Sequence, residues 1–232
     1  MKWIFLFWGG LLLNTLSAQV TLLQRDLLWL NPRVEVSMGS KDKLSVEMEW
    51  RTFIFPQRTH QLIGPSLLYQ HDLNDQWNVG FGGLHFLAYR PGNPFVETQE
   101  VTTEWRLHQE ATYFQKSTKG TWAQRAKVEQ RFFLLERGTS FVLRTRYRLE
   151  YRYPFLWLKR KQQLRASAEP MWQFAEQLPF GHFDQVRLRL TLRVPIKPLE
   201  LEIGYMYWFQ QSGRPSEYLS HHIVPIGLTL KL

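Results

Sequence analysis

Read in steps of two, the chain from Lys43 to Ile54 separates into two faces. Lys43, Ser45, Glu47, Glu49 and Arg51 fall on one side; Leu44, Val46, Met48, Trp50 and Ile54 fall on the other, with Thr52 its one polar member. A period of two is the mark of a β-strand with one polar and one apolar face. The pattern recurs downstream. Glu104, Arg106, His108 and Glu110 oppose Trp105, Leu107 and Ala111; Arg125, Lys127, Glu129 and Arg131 oppose Ala126, Val128 and Phe132. Arg144, Arg146, Arg148, Glu150 and Arg152 oppose Leu143, Tyr147, Leu149, Tyr151 and Tyr153. Gln185, Arg187, Arg189 and Arg193 oppose Val186, Leu188, Leu190 and Leu192, and Glu200 and Glu202 oppose Leu201, Ile203 and Tyr205. No comparable 3.6-residue stripe follows the first eighteen residues, so almost no helix is expected.

Turn signals punctuate the alternation. Gly39-Ser40-Lys41-Asp42, Asp72-Leu73-Asn74-Asp75, Ser117-Thr118-Lys119-Gly120 and Pro195-Ile196-Lys197-Pro198 read as tight turns. They largely alternate with other breaks, among them 90–100, 174–181 and 211–216. This is the rhythm of an up-and-down antiparallel sheet. The breaks give strands near 20–30, 33–38, 43–55, 59–71, 76–89, 101–116, 121–136, 140–153, 162–173, 182–194, 199–210 and 221–232. That is a twelve-stranded all-β closed antiparallel barrel, with ten strands as the fallback if the start is irregular at Asn31-Pro32. An even count puts both termini and the tight turns at one end.

The start of the chain reads as an address. Met1-Lys2 is positive, Trp3 to Leu13 is an apolar run of eleven, and Asn14 to Ala18 turns polar and small. This is the layout of a secretory signal peptide over 1–18, leaving 19–232 as the barrel domain. The apolar run is too short to span a bilayer as a helix. With no Cys in the chain, disulfide scaffolds and thiolate chemistry are excluded, and an exported Cys-free protein suits a bacterial envelope.

Alternation alone does not say which face is enclosed. In a soluble exported barrel holding an apolar ligand, the apolar face turns in; in a membrane barrel it turns out to lipid and the lumen is polar. Strand-like runs of 12–16 residues exceed the usual five or six and suffice to cross hydrocarbon at a tilt. Aromatic residues gather near strand ends: Phe53 and Phe55, Tyr69, Trp77 and Tyr89, Trp105 and Tyr113, Trp122 and Phe132, Tyr151 and Tyr153, Tyr207 and Phe209. Both features favour a transmembrane barrel in the bacterial outer membrane. Its partners are outer-membrane lipid and the barrel-assembly machinery, and it is expected to be a monomer. Pro65, Pro170 and Pro225 lie inside strand-like runs and must sit at bulges or strand ends.

The segments Leu44–Arg51, Arg125–Phe132, Phe183–Arg187 and Leu201–Met206, in this order and spacing, resemble the domain-of-unknown-function family 2490 of bacterial envelope proteins. Val186 stands where that family usually carries Asn. The resemblance implies an outer-membrane β-barrel and brings no known reaction, so it assigns no catalytic residue.

On this reading the lumen carries Glu47, Glu49, Glu104, Glu110, Glu129, Glu150, Glu169, Glu200 and Glu202 against Arg51, Arg106, Arg125, Arg131, Arg144, Arg146, Arg148, Arg165, Arg187, Arg189 and Arg193. Arg144, Arg146 and Arg148 stand about 7 Å apart along one strand, at ~3.4 Å per residue. Each adjacent pair then repels by about 2 kcal/mol at an effective dielectric near 20. Glu129 and Glu169 on the neighbouring strands are too few to neutralise the row, so water or an anionic ligand must supply the rest. A structural network of paired charges and a pathway or pocket for anions are both open.

Chemistry is weakly signalled. Ser220 and His221 are strand neighbours and face opposite ways, so a membrane-embedded lipid hydrolase would need its groups from different strands. His182 and Asp184 share a face, and His221 or His222 could approach them at the rim; paired loop-end residues explain this as well as a metal does. No catalytic residue, metal site or cofactor is assigned. The net charge of +9 is dispersed among acids with no basic run, which disfavours nucleic acid.

Overall fold

Asn31-Pro32 does not break the first strand. In the computed structural model, which describes residues 21–54, 58–90, 100–135, 138–157, 160–175, 182–211 and 217–232, a single strand runs through it. Pro32 has no N–H to donate, and the pairing of this strand with the next skips from Leu30↔Trp50 to Arg33↔Glu47. The Asn31 side chain fills the gap: its Nδ2 donates to the Met48 carbonyl at 3.2 Å and to Glu47 Oε1 at 2.7 Å. The strand count is therefore eleven among the described residues, not twelve or ten.

The strands are β1 (Thr21–Ser37), β2 (Asp42–Phe53), β3 (Arg58–Asp72), β4 (Trp77–Arg90), β5 (Glu100–Lys116), β6 (Thr121–Leu135), β7 (Gly138–Trp157), β8 (Arg160–Phe174), β9 (Phe183–Ile196), β10 (Leu199–Gln211) and β11 (Glu217–Lys231). They form one closed barrel in which each strand pairs antiparallel with its sequence neighbours. An odd number closes differently from an even one. β1 and β11 run the same way and pair in parallel, from Thr21↔Glu217 to Glu35↔Lys231. The sheet is mixed rather than wholly antiparallel, and its two ends separate. The C-terminus stays with the tight turns, tied to β1 by Leu232 N to Glu35 O at 2.9 Å and Ser37 N to Leu232 O at 3.0 Å. Thr21 lies at the opposite end. The expected signal segment 1–18 and the longer breaks at 91–99, 176–181 and 212–216 lie outside the described residues.

The tight turns follow odd-numbered strands, so they share one end. Asn74 Oδ1 accepts from the N–H groups of Gln76 and Trp77, each at 2.9 Å, and Ser117 N donates to Gly120 O at 2.8 Å. The prolines sit where the ladder permits them. Gly64-Pro65 occupies a bulge between Ile63 and Ser66, with Gly64 at φ +144°, while Pro170 and Pro225 each stand beside an interruption in one of their two ladders.

Side-chain direction follows the pleat. Val46, Met48, Trp50, Trp105, Leu107, Tyr147, Leu188, Leu190, Ile203 and Tyr205 are exposed on the outer surface, while Glu104, Glu129, Arg144, Glu169 and Thr191 are buried inside. Two levels of aromatic pairs ring the outside. Near the tight-turn end are Trp77–Tyr113 (5.0 Å between centroids) and Trp122–Tyr151 (4.7 Å); toward the other end are His85–Trp105 (4.6 Å) and Phe132–Phe141 (5.4 Å).

Close strand packing requires glycine at Gly204, where a Cβ would meet the Leu190 carbonyl oxygen at 2.1 Å and Thr191 Cα at 2.7 Å. Gly227, on the adjacent strand, has its nearest neighbour at 3.4 Å. Gly204→Ala is expected to destabilise the barrel by about 1–3 kcal/mol through forced displacement of backbone. Gly227→Ala should cost less than about 1 kcal/mol. Urea unfolding midpoints of the detergent-folded proteins check the contrast.

Candidate functional site

The enclosed space is a cavity of about 900 Å³ that reaches the tight-turn end of the barrel, where Ser40, Lys41, Asn74 and Asp75 line it. Its walls carry Glu47, Glu49 and Arg51 from β2, Arg106 and Glu110 from β5, Arg125 and Glu129 from β6, and Arg144, Arg146, Arg148 and Glu150 from β7. Arg165 and Glu169 come from β8, Arg187, Arg189 and Arg193 from β9, and Glu200 and Glu202 from β10. Glu104 and Arg131 do not reach it. They pack beyond its inner end, where Glu104 accepts from Arg106 Nη2 at 2.9 Å and from Arg131 Nε at 2.6 Å.

Each interior carboxylate serves several cations. Glu169 accepts from Arg125 Nη2 at 2.8 Å, from Arg146 Nη2 at 2.9 Å and from Arg148 Nη2 at 3.0 Å. Glu129 accepts from Arg144 Nε at 2.6 Å and Arg146 Nη1 at 2.8 Å, with Lys127 Nζ at 3.8 Å. The row Arg144-Arg146-Arg148 is thus bracketed by Glu129 and Glu169, and Asp184 adds a third acid at 3.2 Å from Arg144 Nη1. Glu150 holds Arg152 at 2.6 Å, Glu200 holds Arg193 at 2.7 Å, and Arg33 pairs with Glu47. Bidentate guanidinium forks suit such sharing, because one carboxylate offers about four acceptor positions. The lining still carries sixteen Lys and Arg against eleven Asp and Glu.

Opposite the tight-turn mouth the lumen turns apolar. Leu27 and Trp29 of β1, Phe53 of β2, Met206 and Trp208 of β10 and Ile223 of β11 form one buried cluster. Trp29 and Trp208 meet edge to face at 5.7 Å, and the buried His60 and His221 rings lie against Trp208 at 6.5 and 4.7 Å. On the facing wall Arg106 lies 4.2 Å from the Phe86 ring and Arg131 lies 4.7 Å from the Phe133 ring. Among the described residues the cavity ends at this level, against Trp29, Arg51, Arg106, Arg144, Arg187 and Met206. Among the described residues the space forms a well that opens at the tight-turn end.

Sequence reasoning missed this floor. It set Phe53 in an outer aromatic belt, whereas Phe53 is buried inside, on the same parity as Lys43, Ser45, Glu47, Glu49 and Arg51. The available signal was a change of character at constant parity: in β10 the inward series reads Glu200, Glu202, Gly204, Met206, Trp208. The rim pair is also not assembled. Asp184 turns to Arg144, while the His182 ring lies 5.0 Å from Phe174, and His221 sits inside against Trp208. Ser220 is buried on the opposite side of β11 from His221.

Sharing makes the carboxylates, not the arginines, the costly groups to remove. Glu169→Gln leaves three enclosed guanidiniums with one fewer anion and is expected to destabilise by about 3–5 kcal/mol. Glu200→Gln, whose partners Arg193 and Lys231 are a quarter and nearly half exposed, should cost about 1 kcal/mol. Parallel unfolding titrations of the two variants measure the difference.

The chain belongs to the DUF2490 family, proteins of unknown function, whose sequence profile matches residues 27–218. No curated protein and no solved structure matches the chain.

Proposed function

We propose that this member of the family is a bacterial outer-membrane β-barrel, exported by its first eighteen residues, whose lumen is a binding well and not a channel. The observation that carries the membrane reading is the inversion of the ordinary core. Large apolar side chains such as Trp105, Phe81, Leu67 and Leu190 stand about half exposed outside, while Glu104, Glu129 and Glu169 are buried inside. In water such a surface would be a single continuous apolar patch far beyond what soluble monomers carry. Facing lipid, it is the expected exterior. A soluble barrel that stores an apolar ligand would need the two faces exchanged.

The spacing of the aromatic pairs supports the same reading. From Trp122 to Phe132 the strand advances ten residues, about 33 Å at ~3.3 Å each, or roughly 25 Å of height at a tilt near 40°. That matches the apolar band of membrane barrels, with aromatic side chains at its two margins. Short turns face the periplasm in such barrels, so the mouth of the well opens there and lipid covers the outer wall. The barrel-assembly machinery inserts it, and it works as a monomer, without nucleic acid. No chemistry is proposed, since Ser220 and His221 diverge and His182 and Asp184 have other partners.

Four measurements test the reading. The mature chain should stay in the outer-membrane fraction after a urea wash and migrate faster on gels unheated than heated. A cysteine placed at Lys119, in a chain with no other, should be labelled by an impermeant maleimide only after the outer membrane is permeabilised. In planar bilayers the folded protein should show no steady conductance. A water-soluble monomer overturns the membrane assignment, labelling in intact cells inverts the topology, and stable ion conductance overturns the closed well.

A further inference from the structure

We propose that the floor of the well is a binding site for a phosphate group, gripped by Arg187 with Arg51 beside it; this deepens the well reading and depends on it for access. Arg187 projects inward from β9, and its register neighbours are Glu169 on β8 and Trp208 on β10. Glu169 is the carboxylate that register offers, yet its two oxygens are already taken by Arg125, Arg146 and Arg148 at 2.8–3.0 Å. Among the described residues, Arg187 is the cavity-lining arginine with no carboxylate within 4.0 Å. Its Nε is buried and without a hydrogen-bond partner.

What holds Arg187 there is aromatic. Its Cζ lies 5.2 Å from the Trp29 ring centroid and 5.0 Å from that of Trp208. Arg51 shares both rings, at 3.8 and 5.7 Å. Two guanidiniums therefore converge on one pair of indoles with a single close carboxylate, Glu49, 2.5 Å from Arg51 Nε. Stacking on a ring face holds a guanidinium in place and leaves its N–H edge for a ligand. The unpartnered fork of Arg187 beside Arg51 Nη2, the Nε and Nη1 of Arg51 being held by Glu49 and Gln61, in a lining with five more cations than acids, calls for a multiply charged, tetrahedral oxyanion. The volume of about 900 Å³ admits inorganic phosphate or a small phosphorylated solute, which enters past Ser40, Lys41 and Asn74.

The test uses the full mature chain folded in detergent micelles at low salt, titrated calorimetrically with inorganic phosphate. Wild type should bind one phosphate. Arg187→Gln should weaken binding about ten-fold or more, as expected for loss of a charge-assisted fork, and Arg187→Lys should fall between. Arg33→Gln, which removes a cation of the same well that is already paired with Glu47, should stay within about two-fold of wild type. Phosphate should also protect Arg187, in the unmutated chain, from phenylglyoxal, read by mass spectrometry. Absence of phosphate binding, equal weakening by the Arg33 and Arg187 variants, or no protection of Arg187 overturns the site. Each of these leaves a non-conducting, membrane-inserted barrel intact. Binding that persists in a barrel found to conduct would overturn the closed well and leave the site standing.

Discussion

The sharing of a few enclosed carboxylates among many guanidiniums sets the terms for the rest of this structure. Closing a sheet on itself sends every second side chain into a space it cannot leave, and here more than half of the residues lining the cavity are ionic. An ion taken from water costs several kcal/mol unless well-placed partners compensate it. With more Arg than Glu inside, one-to-one pairing is impossible. Glu104, Glu129 and Glu169 each serve at least two arginines, at least one of them on another strand, so the network runs across the barrel wall and ties β5, β6, β7 and β8 to one another. Room for it comes from small residues: Gly80 and Gly82 on β4 face Glu110 and His108, and at Gly82 a Cβ would stand 2.7 Å from the His108 ring.

The network does not fill the barrel uniformly. It dominates the wall built by β5 to β9, whereas the buried apolar cluster draws its members from β10, β11, β1 and β2. Those are the four strands around the closing seam. Among the described residues Thr21 to Arg25 pair with β11 alone, and the second ladder begins at Asp26, whose carbonyl accepts from Ile54 N at 3.0 Å. Leu27, Trp29 and Ile223 place apolar contact at the point where that second ladder begins. Burial of side chains of this size contributes about 1.5–3 kcal/mol each, which suits a closure made by strands distant in sequence.

Much of this was legible in the sequence, and the parts that were not share a cause. Alternation fixes which residues of a strand share a face, so Arg144, Arg146 and Arg148 could be grouped, and Glu129 and Glu169 named as their neighbours, before any geometry. The strand boundaries after residue 42 follow from the same pattern. Asn31-Pro32 misled because a proline next to a turn-prone residue is ordinarily a break. Nothing local says that the Asn31 amide will substitute for the missing N–H by reaching across to Met48. That one misreading changes an even count to an odd one, and with it the parallel seam and the position of the N-terminal end. The carboxylate partnerships were illegible for a different reason. Which of Arg125, Arg146, Arg148 and Arg187 reaches Glu169 depends on side-chain lengths and on competition for two oxygens, not on strand register. By register Arg187 is the neighbour, and it is Arg187 that goes without.

That outcome connects the two halves of the lumen. A guanidinium displaced from its carboxylate needs another favourable surface, and at the level of Arg187 the surface available is the Trp29–Trp208 pair of the apolar cluster. The same indoles that fasten the seam therefore hold the surplus cation Arg187, with the Glu49-paired Arg51 beside it, at the inner end of the cavity. Had the floor been aliphatic, Arg187 would have had only the neighbouring guanidinium of Arg51 beside it. Had it been acidic, Arg187 would have been neutralised. An aromatic floor does neither: it steadies both guanidiniums through their faces and leaves the charge of Arg187 uncancelled at the inner end of the cavity.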